Sequence, residues 1–323
     1  MKRLHRIAWA AALLGLAATP AAAQTYPVRT VSVVVPYPPG GSVDVIARVV
    51  VQKLNEKLGA RFIVENRAGG AGGTVGANVV AKATPDGYTL MLTASIHIIT
   101  PLINKTIPYD AVKDFAPITL VTRGPLLVST TPSIPASNLK DFFDLVRKAP
   151  VKYTFATSSF GSAGHLAVEL LKRQAGVDTL VIAYKGAGPM LTDIMSGQVQ
   201  LIADPMASSL PLAASGRIKA LAVTSSKRAA AAPDIPTVAE SGMQDIDFYS
   251  WYGLWGPKGL PDDLVAKLQM AVAEVLTTSD VKERLAALGF EPIGSTSAAF
   301  AKYIDDETAK YGEIIRDAKI KTE

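Results

Sequence analysis

Short runs of β-branched residues alternate with helical patterns between residues 30 and 224, and this alternation limits the chain to few folds. Each run has the length and composition of a strand, and the segment after it carries apolar residues at helical spacing. A strand, a helix and a second strand in succession favour parallel pairing with the helix packed on the sheet. The pattern therefore predicts an α/β protein with mostly parallel sheets flanked by helices.

The predicted strands end in turn residues, and they are 30–36, 62–66, 88–94, 118–130, 153–158, 180–184, 199–203 and 218–224. The predicted helices between them are 42–58, 74–83, 138–148, 162–175, 189–196 and 208–215. Several of these helices end at a glycine, which is a typical helix C-terminal residue. After Gly256 only helical patterns remain, at 262–276, 279–288 and 297–318, so these helices need a sheet to cover.

Two longer extended segments suggest that the chain crosses twice between two lobes. They are 115–131, with a bend at Gly124-Pro125, and 248–256. The chain is long enough for two separate hydrophobic cores. We therefore predict a first domain of residues 24–123 and 251–323, and a second domain of residues 124–250.

Residues 1–23 have the three parts of an export signal. A basic start with Lys2, Arg3 and Arg6 precedes an apolar middle at 7–18 and small residues at Ala21–Ala23. The apolar part is shorter than the roughly 20 residues that span a bilayer. We expect cleavage after Ala23 and a periplasmic location. The sequence has no cysteine, so disulfides and lipoprotein acylation are excluded, and the predicted cores must supply the stability.

Charge and composition exclude several classes of function. Without the predicted signal, 30 Lys and Arg face 28 Asp and Glu, a formal charge of +2. Basic residues do not cluster into the stripe that a nucleic acid requires, so no nucleic-acid partner is expected. The same 300 residues hold two histidines and no HExxH sequence, so neither a metal site nor a cofactor is expected.

Six loops follow predicted strands at the edge of the sheet where ligands bind in α/β proteins. They are YPPGGSVD, ENRAGGAGGTVG and TASIH in the first half of the chain, and ATSSFGSAGH, AYKGAGP and ADPMASS in the second. Four of them are glycine-rich and lead into a helix whose first N–H groups have no partner within the helix. Such helix N-termini attract anions, and glycine lets the backbone approach a ligand closely.

The first of these loops is the most specific. Pro38 and Pro39 stiffen it, while Gly40, Gly41 and Ser42 offer backbone amides to an anionic group. A carboxylate is favoured over a phosphate because the sequence lacks the GxxxxGK[ST] pattern of a phosphate-binding loop. The alternative is a tight turn with no ligand.

Other polar residues in these loops admit both a structural and a binding interpretation. His165 either packs in the core or reaches the ligand, directly or by orienting a serine. Glu65, Asn66 and Arg67 either brace their loop or contact the ligand. The aromatic residues Trp251, Tyr252 and Trp255 either pack at the crossing between lobes or form a stacking surface.

Asp204 ends the apolar strand QLIAD, where an unpaired carboxylate is costly. We therefore expect a partner for it. The candidates are Lys185, a bound ammonium group, or hydroxyl and amide donors.

At these residues the chain resembles the substrate-binding proteins of tripartite tricarboxylate transporters, the Bug family. The resemblance rests on blocks that occur in order, namely YPVRTVSVVVPYPPGGSVDVIAR, VENRAGGAGGTVGA, TPDGYTLML, YDAVKDFAPITLV, ATSSFGSAGHLAVELLK, YKGAGPMLTDIMSGQVQLIAD, GRIKALAVTSSKR, IPTVAESG and WYGLWGPKGLP. It implies a two-lobed periplasmic-binding-protein fold of the second type that closes on a small organic acid. It also implies membrane permease subunits as partners.

The resemblance further implies which residues bind the ligand. One carboxylate would be held by two loops of the first domain, at Tyr37, Pro39, Gly40, Gly41 and Ser42 and at Gly70, Ala71 and Gly72. The rest of the ligand would meet Ser158, Ser159, Gly161, Ser162 and His165, with Tyr184, Lys185 and Asp204 setting selectivity. Ser95 lies in the third loop, where this chain has Ile96 and His97 instead of the polar or glycine residues of some relatives.

We expect no enzymatic activity, and two other functions remain open. A protein of the same fold could carry its ligand to a sensor kinase instead of a permease. An exported hydrolase using Ser162 or Ser159 with His165 and Asp204 is disfavoured, because the sequence lacks a GxSxG motif and the spacing aims Ser162 poorly. The ligand itself stays open among dicarboxylates, tricarboxylates, acidic amino acids and aromatic acids.

Overall fold

The computed structural model describes residues 26–59 and 61–320, so the predicted signal sequence and its cleavage site lie outside the described residues. The strands are β1 (Val31–Val35), β2 (Phe62–Asn66), β3 (Thr89–Ala94), β4 (Phe115–Thr130), β5 (Phe155–Thr157), β6 (Val181–Ala183), β7 (Leu201–Pro205), β8 (Lys219–Val223), β9 (Tyr249–Pro257) and β10 (Glu291–Pro292). The α-helices are α1 (Ser42–Leu58), α2 (Thr74–Ala81), α3 (Ile96–Ile103), α4 (Leu139–Lys148), α5 (Ala163–Ala175), α6 (Ala187–Ser196), α7 (Met206–Ala214), α8 (Asp262–Thr277), α9 (Ser279–Ala287) and α10 (Ser297–Asp317).

The strands form one sheet in the order β2-β1-β3-β9-β4-β7-β5-β6, with β8 and β10 also paired to β4. The strands β1, β2 and β3 pair in parallel, and so do β5, β6 and β7. All pairs that involve β4 or β9 are antiparallel. The α/β prediction is confirmed, but the sheet is mixed. The expected parallel pairing holds only for the two groups of three strands, because both groups are joined through the long antiparallel strands.

Strand β4 belongs to both halves of the sheet. Its first part pairs with β9 from Phe115 to Pro125, and its last part lies between β7 and β8. At the bend, a Cβ added to Gly124 would lie 2.5 Å from the carbonyl oxygen of Gly289, so no side chain fits there. The predicted domain boundaries fall within these paired strands, and the division into two domains remains a prediction.

The helices pack on the sheet through apolar faces. In α1, Ile46, Val50 and Leu54 are buried against residues of β1, β3 and β9. The C-terminal helices α8 and α10 contact β4, so they cover the sheet as predicted. None of the described helices has the length and apolar character needed to cross a membrane.

Two elements were not predicted from the sequence. The sequence predicts no helix at α3, because IHIITPLI is rich in β-branched residues and contains Pro101, both of which disfavour helix. Strand β10 is only two residues long and ends in proline, so it carries no recognisable strand pattern.

Candidate ligand-binding site

The loop between β1 and α1 leaves the start of the helix open. Gly41 occupies the N-cap position with extended backbone, and no side chain caps the helix. Among the described residues, none accepts a hydrogen bond from the backbone nitrogens of Gly41, Ser42 and Val43. A Cβ added to Gly40 or Gly41 would meet no atom within 4 Å. This helix end therefore has free N–H groups beside open space, which suits an anion.

Asp44 braces this loop from within the first turn of α1. Its Oδ2 accepts hydrogen bonds from the Gly40 N–H (3.0 Å) and from Arg48 Nε (2.9 Å). Its Oδ1 accepts from Asn66 Nδ2 at 3.0 Å. Burial would raise the pKa of Asp44, but these hydrogen bonds outweigh it and lower the pKa. The Gly40 N–H is thus bound within the protein, whereas Gly41 and Ser42 keep theirs free.

Asn66 ties the second loop to the first, since its Nδ2 also donates to the carbonyl of Tyr37 at 3.1 Å. Glu65 accepts a hydrogen bond from Ser32 at 2.7 Å and pairs with Arg67. These contacts match the bracing interpretation of this segment.

The glycines of the second loop are required by packing. Gly72 has a φ of 63°, and an added Cβ would lie 2.0 Å from Thr100 Oγ1 of α3. An added Cβ on Gly73 would lie 2.8 Å from the carbonyl of Pro36. Within the described part of the chain, the backbone nitrogens of Ala71 and Gly72 have no protein acceptor. Close packing therefore places two further free amides next to the end of β1.

Tyr37 connects these two loops to β3. Its hydroxyl lies 2.9 Å from Thr93 Oγ1 and 3.4 Å from the carbonyl of Gly72. Burial raises the pKa of Tyr37 well above its ordinary value, so the phenol stays neutral. Pro39, beside it, is exposed at the tip of the first loop.

The third predicted loop is the first turn of α3. Ser95 is 1% exposed, and its N–H donates to the carbonyl of Trp251 at 3.0 Å. His97 is buried against Tyr109, Phe115 and Trp255, with Nε2 3.0 Å from the carbonyl of Ala111. Burial lowers the pKa of His97 to about 4, so the ring is neutral. The prediction that Ile96 and His97 belong to a loop is therefore wrong, because both lie in α3.

In the second half of the chain, the loop after β5 leads into α5. Ser162 caps the helix, because its Oγ accepts the His165 N–H at 3.1 Å and lies 2.7 Å from Thr157 Oγ1. Gly161 has a φ of 75°, and an added Cβ would lie 2.7 Å from Ile103 Cδ1. This loop therefore packs directly against the end of α3. Ser158 and Ser159 are partly exposed just before it.

His165 is 3% exposed and holds the loop from inside. Its Nδ1 accepts the Gly161 N–H at 3.2 Å, and its Nε2 lies 4.0 Å from Glu169 Oε1. Burial, assisted by the charge of Lys172, lowers the pKa of His165 to about 4. The ring is therefore neutral, and it stabilises the loop because its Nδ1 accepts the Gly161 N–H. The side chain of His165 makes no hydrogen bond to Ser162, so the geometry of a catalytic triad is not present among these residues.

Tyr184 and Lys185 lie in the loop after β6. The Tyr184 hydroxyl donates to Asp193 Oδ2 at 2.6 Å, and burial together with that carboxylate raises the pKa of Tyr184 to about 12. Lys185 is exposed, and no carboxylate of the described residues lies within 4.0 Å of its Nζ. The Gly186 N–H donates to the carbonyl of Ser158 at 2.9 Å, so this loop is attached to the one after β5.

Asp204 lies next to the end of β7 and is 1% exposed. The Ser208 hydroxyl contacts its Oδ2. Of the partners expected for this carboxylate, the structure contains a hydroxyl donor, and Lys185 is not in contact with it. Burial raises the pKa of Asp204 to about 7, and the hydrogen bond from Ser208 opposes the rise.

Tyr252 of β9, for which the sequence leaves open packing at the crossing between lobes or a stacking surface, is a neighbour of this site. Its hydroxyl accepts from Ser250 Oγ at 3.2 Å. Burial raises the pKa of Tyr252 to about 12, the hydroxyls of Ser250 and Ser42 oppose this rise, and the Asp204 charge adds to it. Tyr252 therefore lies near Ser42 at the start of α1 and near enough to Asp204 for the charge of that carboxylate to act on it.

Comparisons with known proteins agree with one another. A family model described as "Tripartite tricarboxylate transporter family receptor" matches residues 46–320. A structure described as periplasmic binding protein BugD is 34% identical, with a TM-score of 0.85, over 92% of this chain and 100% of its own. Rpa4515 of R. palustris with adipate is 34% identical, with a TM-score of 0.89, over 92% and 100%. MatC of Rhodopseudomonas palustris with bound malate is 33% identical, with a TM-score of 0.81, over 90% and 100%.

Proposed function

Because the chain belongs to the tripartite tricarboxylate transporter receptor family, we propose that it captures a small carboxylated organic molecule in the periplasm. It acts without catalysis and delivers the molecule to the membrane permease subunits of such a transporter. The family description names a transporter, and nothing in it points to a sensor kinase.

The observation that carries this proposal is the open start of α1. Gly41 and Ser42 present N–H groups without a protein acceptor, and Ala71 and Gly72 present two more from the adjacent loop. Hydrogen bonds to a charged group contribute about 1.5–3 kcal/mol each. Three or four of them account for micromolar affinity, which corresponds to about −8 kcal/mol.

The remainder of the ligand meets the loop after β5 and the start of α5. The Ser162 hydroxyl caps this helix, and Ser158 and Ser159 are partly exposed beside it. In this proposal Tyr184 and Lys185 border the same region, and Ser95 and His165 support it from the interior. The adipate and malate of the two related structures are both dicarboxylates, which supports a ligand with a second polar end.

The test uses the chain without its predicted signal and a panel of di- and tricarboxylates, each with its methyl ester. We expect the acids to bind in calorimetry and their esters to fail. Gly41→Val should weaken binding at least tenfold, because its side chain enters open space beside the free amides without meeting protein atoms. Gly312→Val, on helix α10 and outside the candidate loops, is the matched control and should bind as the wild type does. Unchanged affinity of Gly41→Val, or equal binding of acids and esters, would contradict the proposal.

A further inference from the structure

We propose that Asp204 selects ligands that carry a hydroxyl or ammonium group as a hydrogen-bond donor, beside the carboxylate held at α1. This inference rests on the proposed function and narrows the class of ligand to hydroxy acids and amino acids.

The first argument is position. Strands β5 and β7 pair in parallel with Ala156 beside Ile202, and continuing that register places Ser158 beside Asp204. A Cβ added to Gly164 would lie 2.1 Å from the carbonyl oxygen of Ala203, so the start of α5 lies against this strand end. Asp204 is therefore adjacent to the loop after β5, and its charge acts on Tyr252, which lies near Ser42 of the loop before α1.

The second argument is hydrogen bonding. An ionised carboxylate offers about four acceptor positions, yet the described residues supply Asp204 with a single side-chain donor, the Ser208 hydroxyl. That hydroxyl also lies 3.0 Å from the carbonyl of Pro205, and its one proton cannot serve both acceptors. No protein donor of the described residues reaches Oδ1, and no Lys or Arg pairs with the carboxylate. A carboxylate that is 1% exposed has few other ways to be solvated.

The third argument is charge. A ligand that extends a second carboxylate toward ionised Asp204 meets a like charge in a buried place, which is unfavourable without an added proton. A hydroxyl or ammonium group supplies the missing donor instead. An ammonium group also neutralises the charge, because it forms a buried pair with the carboxylate.

In the competing arrangement, a protonated Asp204 donates a hydrogen bond to a second carboxylate of the ligand. The affinity for such a ligand would fall as the pH rises, whereas the proposed arrangement predicts that the affinity for an amino acid rises. Tyr252 is the titratable group that interacts with Asp204, and its pKa of about 12 keeps it neutral in the relevant range. Strand β4 places Leu127 opposite Asp204, and α7 contributes Ser208 and Ser209, none of which titrates. Helix α5 also packs on β7, and its His165 has a pKa of about 4, so that ring stays neutral near pH 7. A change in affinity near pH 7 that is absent from Asp204→Asn therefore reports on Asp204.

The experiment measures affinity by calorimetry for sets of acids of equal length. They are succinate, malate and aspartate; glutarate, 2-hydroxyglutarate and glutamate; and adipate, 2-hydroxyadipate and 2-aminoadipate. At pH 8 we expect the best hydroxy or amino acid to bind at least tenfold more tightly than its unsubstituted counterpart. The affinity of the amino acid should rise between pH 5.5 and 8.

Asp204→Asn should reduce the preference for the hydroxy or amino acid over the unsubstituted acid to less than threefold. Circular dichroism checks that this variant is folded. Asp306→Asn, at an exposed position of α10, is the matched control and should keep the preference. The wild-type ratios test the proposal even if Asp204→Asn fails to fold.

Equal binding within every set, or a preference that persists in folded Asp204→Asn, overturns this inference and leaves the proposed function intact. Tighter binding of unsubstituted dicarboxylates, weakening as the pH rises, overturns it in favour of the protonated arrangement. Failure of every acid to bind overturns both proposals.

Discussion

Buried ionisable side chains set the electrostatics of this protein at the level of single residues. His97 and His165 each have a pKa of about 4, and that of Asp204 is about 7. Burial is the largest cause in all three, and it favours the neutral form of acid and base alike. Burial therefore lowers the pKa of the histidines and raises that of the aspartate. As a result, the two residue types change the pH dependence of stability in opposite directions.

Asp204→Asn should change how stability depends on pH. The folded pKa of Asp204 is raised from 3.8 to about 7, so its contribution to stability is present below pH 3.8 and is lost as the pH rises toward 7. The loss is on the order of 4 kcal/mol. The histidines act the other way, since their stabilisation is present above pH 6.5 and is lost as the pH falls toward 4.

Urea unfolding of the unliganded chain from pH 4 to 8 measures this effect. The stability of the variant should rise more steeply with pH than that of the wild type. Parallel curves would mean that Asp204 titrates in the folded protein as it does in water.

Sequence patterns identified the loops at this scale but not the partners of each side chain. The loop PPGG and its free amides could be anticipated, because proline, glycine and a following helix act locally. The occupied Nδ1 of His165 and the contact of Tyr252 with Ser42 could not, because they depend on residues brought together by folding.

At the scale of secondary structure, the start of a helix has two different uses in this molecule. Helix α1 has no side-chain cap, whereas Ser162 caps α5 and Asn138 caps α4. A capping side chain satisfies one of the free N–H groups and typically stabilises a helix by about 1 kcal/mol. The uncapped start of α1 gives up that stabilisation and keeps its amides available.

Ser162→Ala and Asn138→Ala form a matched pair of cap removals. Each should lower the free energy of unfolding by about 1 kcal/mol, because each loses one side-chain acceptor at a helix start. Only Ser162→Ala should also weaken ligand binding, since its loop borders the candidate site. Chemical denaturation and calorimetry on both variants measure the two effects. Equal affinity of the two variants would assign Ser162 a purely structural role.

The start of α1 was predicted at the correct residue, since glycine N-terminal to Ser42 and an amphipathic run mark it locally. Helix α3 was missed because its β-branched residues and Pro101 favour other local structure. Packing compensates for this, since Ile98 and Ile99 are buried and Thr100 Oγ1 donates to the carbonyl of Ile96 at 2.8 Å. Tertiary contacts override local preference at such a segment.

At the scale of the whole molecule, the C-terminal helix α10 joins parts that are distant in sequence. Trp251 Nε1 donates to Tyr311 at 3.0 Å and lies 3.2 Å from Glu307, so β9 is attached to α10. At the C-terminal end of the helix, Asp317 pairs with Arg173 of α5 at 2.7 Å. This second contact is exposed and therefore weak, whereas the buried apolar cluster that contains Ile315 of α10 also contains Leu171 of α5.

The proposed binding mode and the predicted division into two domains together imply that ligand compacts the molecule. A ligand held by amides of α1 on one side and by the loop after β5 on the other stabilises only arrangements in which both reach it. Small-angle scattering should then show a smaller radius of gyration with a saturating carboxylate than without it. Gly41→Val, measured at the same ligand concentration, should scatter as the unliganded wild type does. A radius that stays constant while calorimetry proves saturation would mean that the halves do not move on binding, and that the unliganded protein already holds both loops in place.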